Sequence, residues 1–200
     1  MLDGGVVCIP HNGRYRVIAD FTSSEAVDRL LQAKRRTRGA PTLVLISEMG
    51  MLETVARPFG PLLGHLAARL WPGELTILGQ PAETLDRRII KSIGGNRGRL
   101  GVRLPTSPVL RSVISASGRP LLVSSANKER KQGAHSPAQV LKTFSGRIDL
   151  FVDAGDLTPG DKSTIIALKD GGIEIVRQGA LDEARIRDAV AVYQPSEDHR

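Results

Sequence analysis

P-L-L-V-S-S-A-N, from Pro120 to Asn127, is the stretch on which the reading of this chain turns: a short apolar run stops abruptly on hydroxyl and amide side chains. Such a run reads as a buried strand, and Ser124, Ser125, Ala126 and Asn127 read as its turn into a loop. Hydrogen-bonding side chains around a small alanine let backbone amides approach a polar ligand, as pockets at the carboxyl ends of α/β strands require. The plain alternative is a Ser/Asn turn that merely ends a strand.

Outward from that stretch, other apolar runs read as strands: Gly4 to Pro10, Val17 to Ala19, Thr42 to Ser47, Leu75 to Leu78, Gly101 to Leu104 and Ile148 to Val152. The first begins so close to Met1 that no element is expected to pack before it. Ser163 and Thr164 open a further strand to Leu168, and Asp170-Gly171-Gly172 turns it back along Ile173 to Val176. His11 to Arg16 reads as a polar turn. Helical spacing marks a helix up to Ala33, capped by Thr22, Ser23 or Ser24, and others over Met51–Ala56, Pro61–Leu70, Val109–Ala116, Pro137–Phe144 and Leu181–Val192. The stretch 81–100 reads as polar and irregular. Strands and helices not in strict βαβ order predict one α/β (α+β) domain over 1–192, built on a large twisted mixed sheet, with a disordered polar tail at 193–200.

Composition narrows the function classes. Aromatic residues make up 4% of the chain, too few for a base-stacking platform, and the core must be aliphatic. Cys8 is the only cysteine, which excludes a disulfide framework and a cysteine-rich zinc site and points to a reducing compartment or to indifference to redox; a cytoplasmic protein is expected. No apolar run reaches membrane-spanning length and no basic leader precedes an apolar core, so neither membrane nor secretion is expected. GxGxxG, P-loop, HExxH and GxSxG patterns are absent.

Charge is uneven. Residues 1–148 hold 22 Lys and Arg against ten Asp and Glu, whereas 149–200 hold six against eleven. The polarity suggests a basic surface that meets an anion, nucleotide or RNA; solvated surface charge is the alternative. Lys34, Arg35, Arg36 and Arg38 crowd one helix end, beyond what the macrodipole favours, and an anion with several charges would relieve their repulsion. Arg103 stands inside an apolar strand, where a guanidinium is tolerated only if its head pairs or reaches a pocket. His65 has no second ligand-type residue at i+4 and reads as a packed histidine rather than a metal ligand.

In their order these pieces resemble the YrdC family. The residues carrying the resemblance are Lys34 with Arg36, Trp71-Pro72-Gly73-x-Leu75-Thr76, Val102-Arg103-Leu104-Pro105, Ser124-Ser125-Ala126-Asn127, Asp153-Ala154-Gly155, Ser163-Thr164 and Arg177-x-Gly179-Ala180. The resemblance implies a concave basic cleft in which ATP, bicarbonate and L-threonine become threonylcarbamoyl-AMP and pyrophosphate, for N6-threonylcarbamoyladenosine in tRNA. It makes Lys34 and Arg36 phosphate contacts that stabilise charge, Ser125 and Asn127 nucleotide contacts, and Arg177 a further one. Arg103 and Ser163 fall on the amino-acid side. It implies Mg²⁺ carried by ATP, no protein metal site, no covalent nucleophile, and tRNA, double-stranded RNA or the tRNA threonylcarbamoyl transferase as partners.

The chain departs from the family where P-T-D-T-V-Y-G-L is usual. It has Pro10, His11, Asn12, Gly13, Arg14, Tyr15, Arg16, Val17. Both threonines, which the family is expected to use for the amino acid, are replaced, and two arginines enter. Thr37 replaces the proline of K-x-R-P, and a Lys/Arg-rich loop follows Asn127. Two functions stay open: a threonylcarbamoyl-adenylate synthase with an altered amino-acid pocket, or a divergent relative whose basic cleft binds nucleotide or RNA, or acts on another carbamoyl donor, without threonine chemistry.

Overall fold

Asn12 and Gly13 reverse the chain with φ of 49° and 65°, the left-handed values that a two-residue hairpin turn requires and that Asn-Gly adopts with least strain. The computed structural model describes residues 4–35, 42–93, 99–127 and 133–194. In it, β1 (Val7–His11) and β2 (Arg14–Asp20) flank that turn as an antiparallel pair, His11 opposite Arg14. The polar turn expected over His11–Arg16 is therefore only two residues long. Arg14, Tyr15 and Arg16 are strand residues, and the Asn-Gly dipeptide was the signal for it.

The stretch Pro120–Asn127 supplies a central strand. β6 (Leu121–Ser125) lies between β2 and β3 (Thr42–Leu45) and is antiparallel to both. Its apolar residues run without alternation because both faces are covered. Leu122 joins the larger core, whereas Leu121 and Val123 join a second core with Ile18, Leu45, Leu110 and Ile114. The sheet continues through β5 (Leu100–Arg103), β4 (Leu75–Gly79), β8 (Thr164–Lys169) and β9 (Gly172–Arg177), and β7 (Leu150–Phe151) closes the opposite edge. The order is β7-β1-β2-β6-β3-β5-β4-β8-β9, a mixed sheet of nine described strands.

Helices cover the two faces unequally. α1 (Ser24–Lys34), α3 (Gly60–Leu70), α4 (Arg87–Ser92), α6 (Pro137–Phe144) and α7 (Glu183–Ala191) all contribute to the larger core, on one face. On the other face, α5 (Pro108–Ser117) buries Leu110 and Ile114 over one end of β1, β2, β6 and β3, and the other ends of those strands, with β5 and β9, line a hollow. Caps follow the sequence: Ser23 Oγ accepts from Ala26 N–H at 3.2 Å, and Ser136 Oγ from Gln139 N–H at 3.4 Å.

Several elements differ from expectation. Met51–Ala56 is a 3-10 turn, Met49–Met51, followed by the one-turn α2, Leu52–Val55. The stretch 81–100 holds α4, which Asp86 caps and which buries Ile89; that Asp-x-x-Ile spacing was legible. The strand expected over Ile148–Val152 pairs only at Leu150 and Phe151, and the terminal helix begins at Glu183. The charged loop after Asn127, 128–132, and the tail from 195 lie outside the described residues.

Candidate functional site

Side chains alternate along strands, so the residues sharing a face with Ile18, Leu45 and Val123 can be read off each strand. On β2 they are Arg14 and Arg16, on β6 Ser125, on β3 Leu43, on β5 Arg103. β9 should turn Arg177 away, because Ile175 faces the larger core. A register shift places Ile166 opposite Ile175 but Ile165 opposite Arg177, and this bulge re-aims Arg177 onto the open face. All of them line one cavity of about 570 Å³, together with His11, Asn12, Gly133, Asp161, Lys162 and Ser163.

That β2 and β9 share a hollow demands strong curvature. Strands lie about 4.8 Å apart, so the six steps between them would span about 29 Å in a flat sheet. The segment 153–163, which links β7 to β8, bridges the gap. Asn12 Nδ2 donates to the Asp161 carbonyl at 2.7 Å, Tyr15 OH to the Gly155 carbonyl at 2.8 Å, and Ala154 N–H to the Tyr15 oxygen at 2.9 Å. Asp153-Ala154-Gly155 thus receives the buried tyrosine of β2.

The other motifs support single side chains. In Trp71-Pro72-Gly73, the indole N–H donates to the Leu75 carbonyl at 2.7 Å and the Gly73 carbonyl accepts Arg103 Nε at 2.8 Å. A Cβ on Gly73 would fall 2.1 Å from the Leu70 carbonyl oxygen. Arg103 also pairs with Glu74 and is 4% exposed. Arg177 donates to the Ser163 carbonyl at 2.7 Å, and the Ser163 hydroxyl meets Thr76 Oγ1 at 2.9 Å. Gly179 N–H donates to Thr164 Oγ1 at 2.9 Å and Ala180 N–H to the Lys162 carbonyl at 2.8 Å, so 177–180 clamps 162–164.

Lys34, the last residue of α1, is 5% exposed. Its ammonium donates to the Ser125 carbonyl and lies 3.4 Å from Asn127 Oδ1. Residues 93 apart in sequence therefore meet, and Ser125 joins this corner to the cavity that holds Arg103, Ser163 and Arg177. Arg36 lies outside the described residues. His65, by contrast, packs away from the site, Nε2 3.0 Å from the Ala189 carbonyl, and Cys8 is buried, its thiol pushed up to about 12 by desolvation.

Charge in the cavity is one-sided. Arg14, Arg16, Arg103, Lys162 and Arg177 face a single lining acid among the described residues, Asp161. Burial, then Arg14, Arg103 and Arg177, pulls Arg16 down to about 10. Burial, then Arg103 and Arg16, pushes His11 down to about 4, so its imidazole is neutral near pH 7 and offers one donor and one acceptor. Burial also lowers Arg103 and Arg177 from their ordinary values. His11, Arg14, Arg16, Asp161 and Lys162 were not assigned to the site from sequence. For Arg14 and Arg16 the available signal was the hairpin: a two-residue turn fixes the register and hence the face.

Comparison with known proteins gives the family and the fold. The Sua5/YciO/YrdC family model, described as telomere recombination, matches residues 1–179. A threonylcarbamoyl-AMP synthase of Pyrococcus abyssi is 30% identical, covering 98% of this chain and 58% of that protein. Another, from Halorhodospira halophila, is 34% identical over 74% of this chain and 76% of that protein. The crystal structure of P. abyssi Sua5 complexed with L-threonine has a TM-score of 0.81 at 29% identity, covering 94% of this chain and 54% of that one. The chain spans just over half the length of these Pyrococcus proteins. By its sequence from residue 1 to 179 and by its fold, the chain belongs to the Sua5/YciO/YrdC family.

Proposed function

We propose that the protein is an ATP-dependent synthase of the threonylcarbamoyl-AMP type, which joins an amino acid, bicarbonate and ATP into a carbamoyl-adenylate and pyrophosphate for tRNA modification. The observation that carries this reading is the contact of Lys34 with Ser125 and Asn127 at the rim of a cavity lined by Arg103, Ser163 and Arg177. Relatives named threonylcarbamoyl-AMP synthase support it, as does the similar structure complexed with L-threonine.

In this reading the triphosphate lies by Lys34 and Arg36, with Ser125 and Asn127 at the nucleotide and Arg177 nearby. The amino acid sits toward Arg103 and Ser163. Bicarbonate gives up hydroxide to become carbon dioxide; the neutral amine takes this up as a carbamate and releases a proton, so that water forms. A carbamate oxygen then forms a bond to the α-phosphorus as the bond to the β-phosphate oxygen breaks, releasing pyrophosphate. The cations stabilise charge on the phosphates throughout, and the reaction needs no enzyme nucleophile. Mg²⁺ carried by the ATP would neutralise part of the triphosphate charge.

The test is to incubate the protein with ATP, bicarbonate and an amino acid, L-threonine as reference, and to follow pyrophosphate and carbamoyl-adenylate. Pyrophosphate release that needs the amino acid is expected; release indifferent to it refutes the proposal.

A further inference from the structure

The hairpin β1–β2 brings Arg14 and Arg16 into the cavity, half-buried and with no hydrogen-bond or ion-pair partner among the described residues. Burying a guanidinium without a partner is unfavourable, and three more cations in the same hollow add repulsion. Of those three, Arg103 has Glu74 as its partner and Arg177 is held by the neutral carbonyl of Ser163. Arg14, Arg16 and Lys162 stand against Asp161 alone. The depressed proton affinity of Arg16 fits that imbalance.

What relieves it must be small, anionic and more charged than a neutral-side-chain amino acid. The hollow is bridged by Asn12 to Asp161 and its volume suits one compact ligand rather than a polymer strand. Lys34 does not line it, and of the cations that do, the reading proposed above gives only Arg177 to the nucleotide, which leaves Arg14, Arg16 and Arg103 at the amino-acid end. An α-carboxylate matches one arginine of the cavity, and an ammonium group matches Asp161. Two forked donors then remain for a second anionic group, which carboxylate and phosphate both fit in bidentate geometry.

We propose that the amino-acid end of this cleft selects an amino acid whose side chain ends in an anionic group, with Arg14 and Arg16 as the residues that determine this specificity. The inference rests on the assignment of this end of the cleft to the amino acid.

The test titrates the full chain calorimetrically, at fixed ionic strength, with L-threonine, L-aspartate, L-glutamate, O-phospho-L-threonine and the neutral isosteres L-asparagine and L-glutamine. At least one acidic ligand is expected to bind about ten- to a hundredfold more tightly than threonine and its isosteres, the range for charged hydrogen bonds. Comparing the carboxylate with the phosphate ligands separates the two anion types. In the Arg14→Ala/Arg16→Ala double variant the preference for the acidic ligand over its neutral isostere should vanish; Arg14→Ala/Arg16→Lys, which keeps one charge without the fork, should retain part of it.

Threonine binding as tightly as every acidic ligand, or a preference unchanged in the double variant, overturns the proposal. ATP titrated alone reads the synthase separately. ATP that binds while no acidic amino acid does removes the anion site and leaves the synthase; acidic amino acids that bind without ATP binding do the reverse. An ATP affinity that falls tenfold in the double variant, with no amino-acid preference in the parent, assigns both arginines to the nucleotide and overturns the inference.

Discussion

Lys34 and Arg103 are both buried cations of the site. The Lys34 ammonium meets two oxygens at the end of β6, the Ser125 carbonyl and the Asn127 amide. Lys34→Ala is expected to weaken ATP binding by about 1–3 kcal/mol, as is Arg36→Ala; titrations unchanged in both variants would remove them from the site. Arg103 is paired to Glu74, whose Oε2 has no partner among the described residues. Arg103→Ala leaves that carboxylate unpaired, and a loss of about 3 kcal/mol in urea unfolding is expected, reduced somewhat by the solvent that still reaches Glu74. His11 adds a pH dependence. Its folded-state value of about 4 lies below the ordinary 6.5, so between them the unfolded chain binds the extra proton. Its contribution is complete above about pH 6.5 and is lost as pH falls through 4. Urea midpoints should therefore drop less between pH 7 and 4 in His11→Gln than in the parent; identical slopes would contradict this.

At the scale of elements, the β1–β2 hairpin does the most to shape the cleft. A Cβ on Gly13 would lie 1.8 Å from the Thr158 carbonyl oxygen, at a φ of 65°. Gly13→Ala must therefore push the hairpin off the 153–163 segment, at a cost of at least about 2 kcal/mol from strain and overpacking. Thermal unfolding should register that loss, and ligand titration a weakening, since Arg14 and Arg16 ride on the same turn. Ser136→Ala serves as the contrast. It removes one cap hydrogen bond from a side chain that does not line the cavity, costs about 1 kcal/mol, and leaves binding alone. Elements with a local signature, such as α6 with Ser136 and Pro137, were legible in the sequence to the residue. Asn12-Gly13 carried an equally local signature that polar neighbours obscured.

The molecule is a curved sheet with six of its described helices on one face and part of the other face left open. Curvature makes the hollow, and the 153–163 segment spans its mouth. If RNA rather than a small anion were the cavity's ligand, RNA affinity should fall steeply between low and physiological salt, because phosphate contacts release counterions. The small-ligand reading predicts a shallow response of amino-acid binding over the same range. Among the described residues, no helix is long and apolar enough to cross a membrane.

Periodicity, caps and turn dipeptides are properties of neighbours along the chain, so the sequence by itself determined most of the strands and helices, the family and the cost of placing Arg103 in an apolar run. Which residues share a cavity is a property of strand order, of a bulge at Ile165 and of sheet curvature, which depend on how the strands pair and not on neighbours along the chain. Only the tertiary structure could therefore bring Lys34 to Asn127, turn Arg177 inward, and set Arg14 and Arg16 against Asp161.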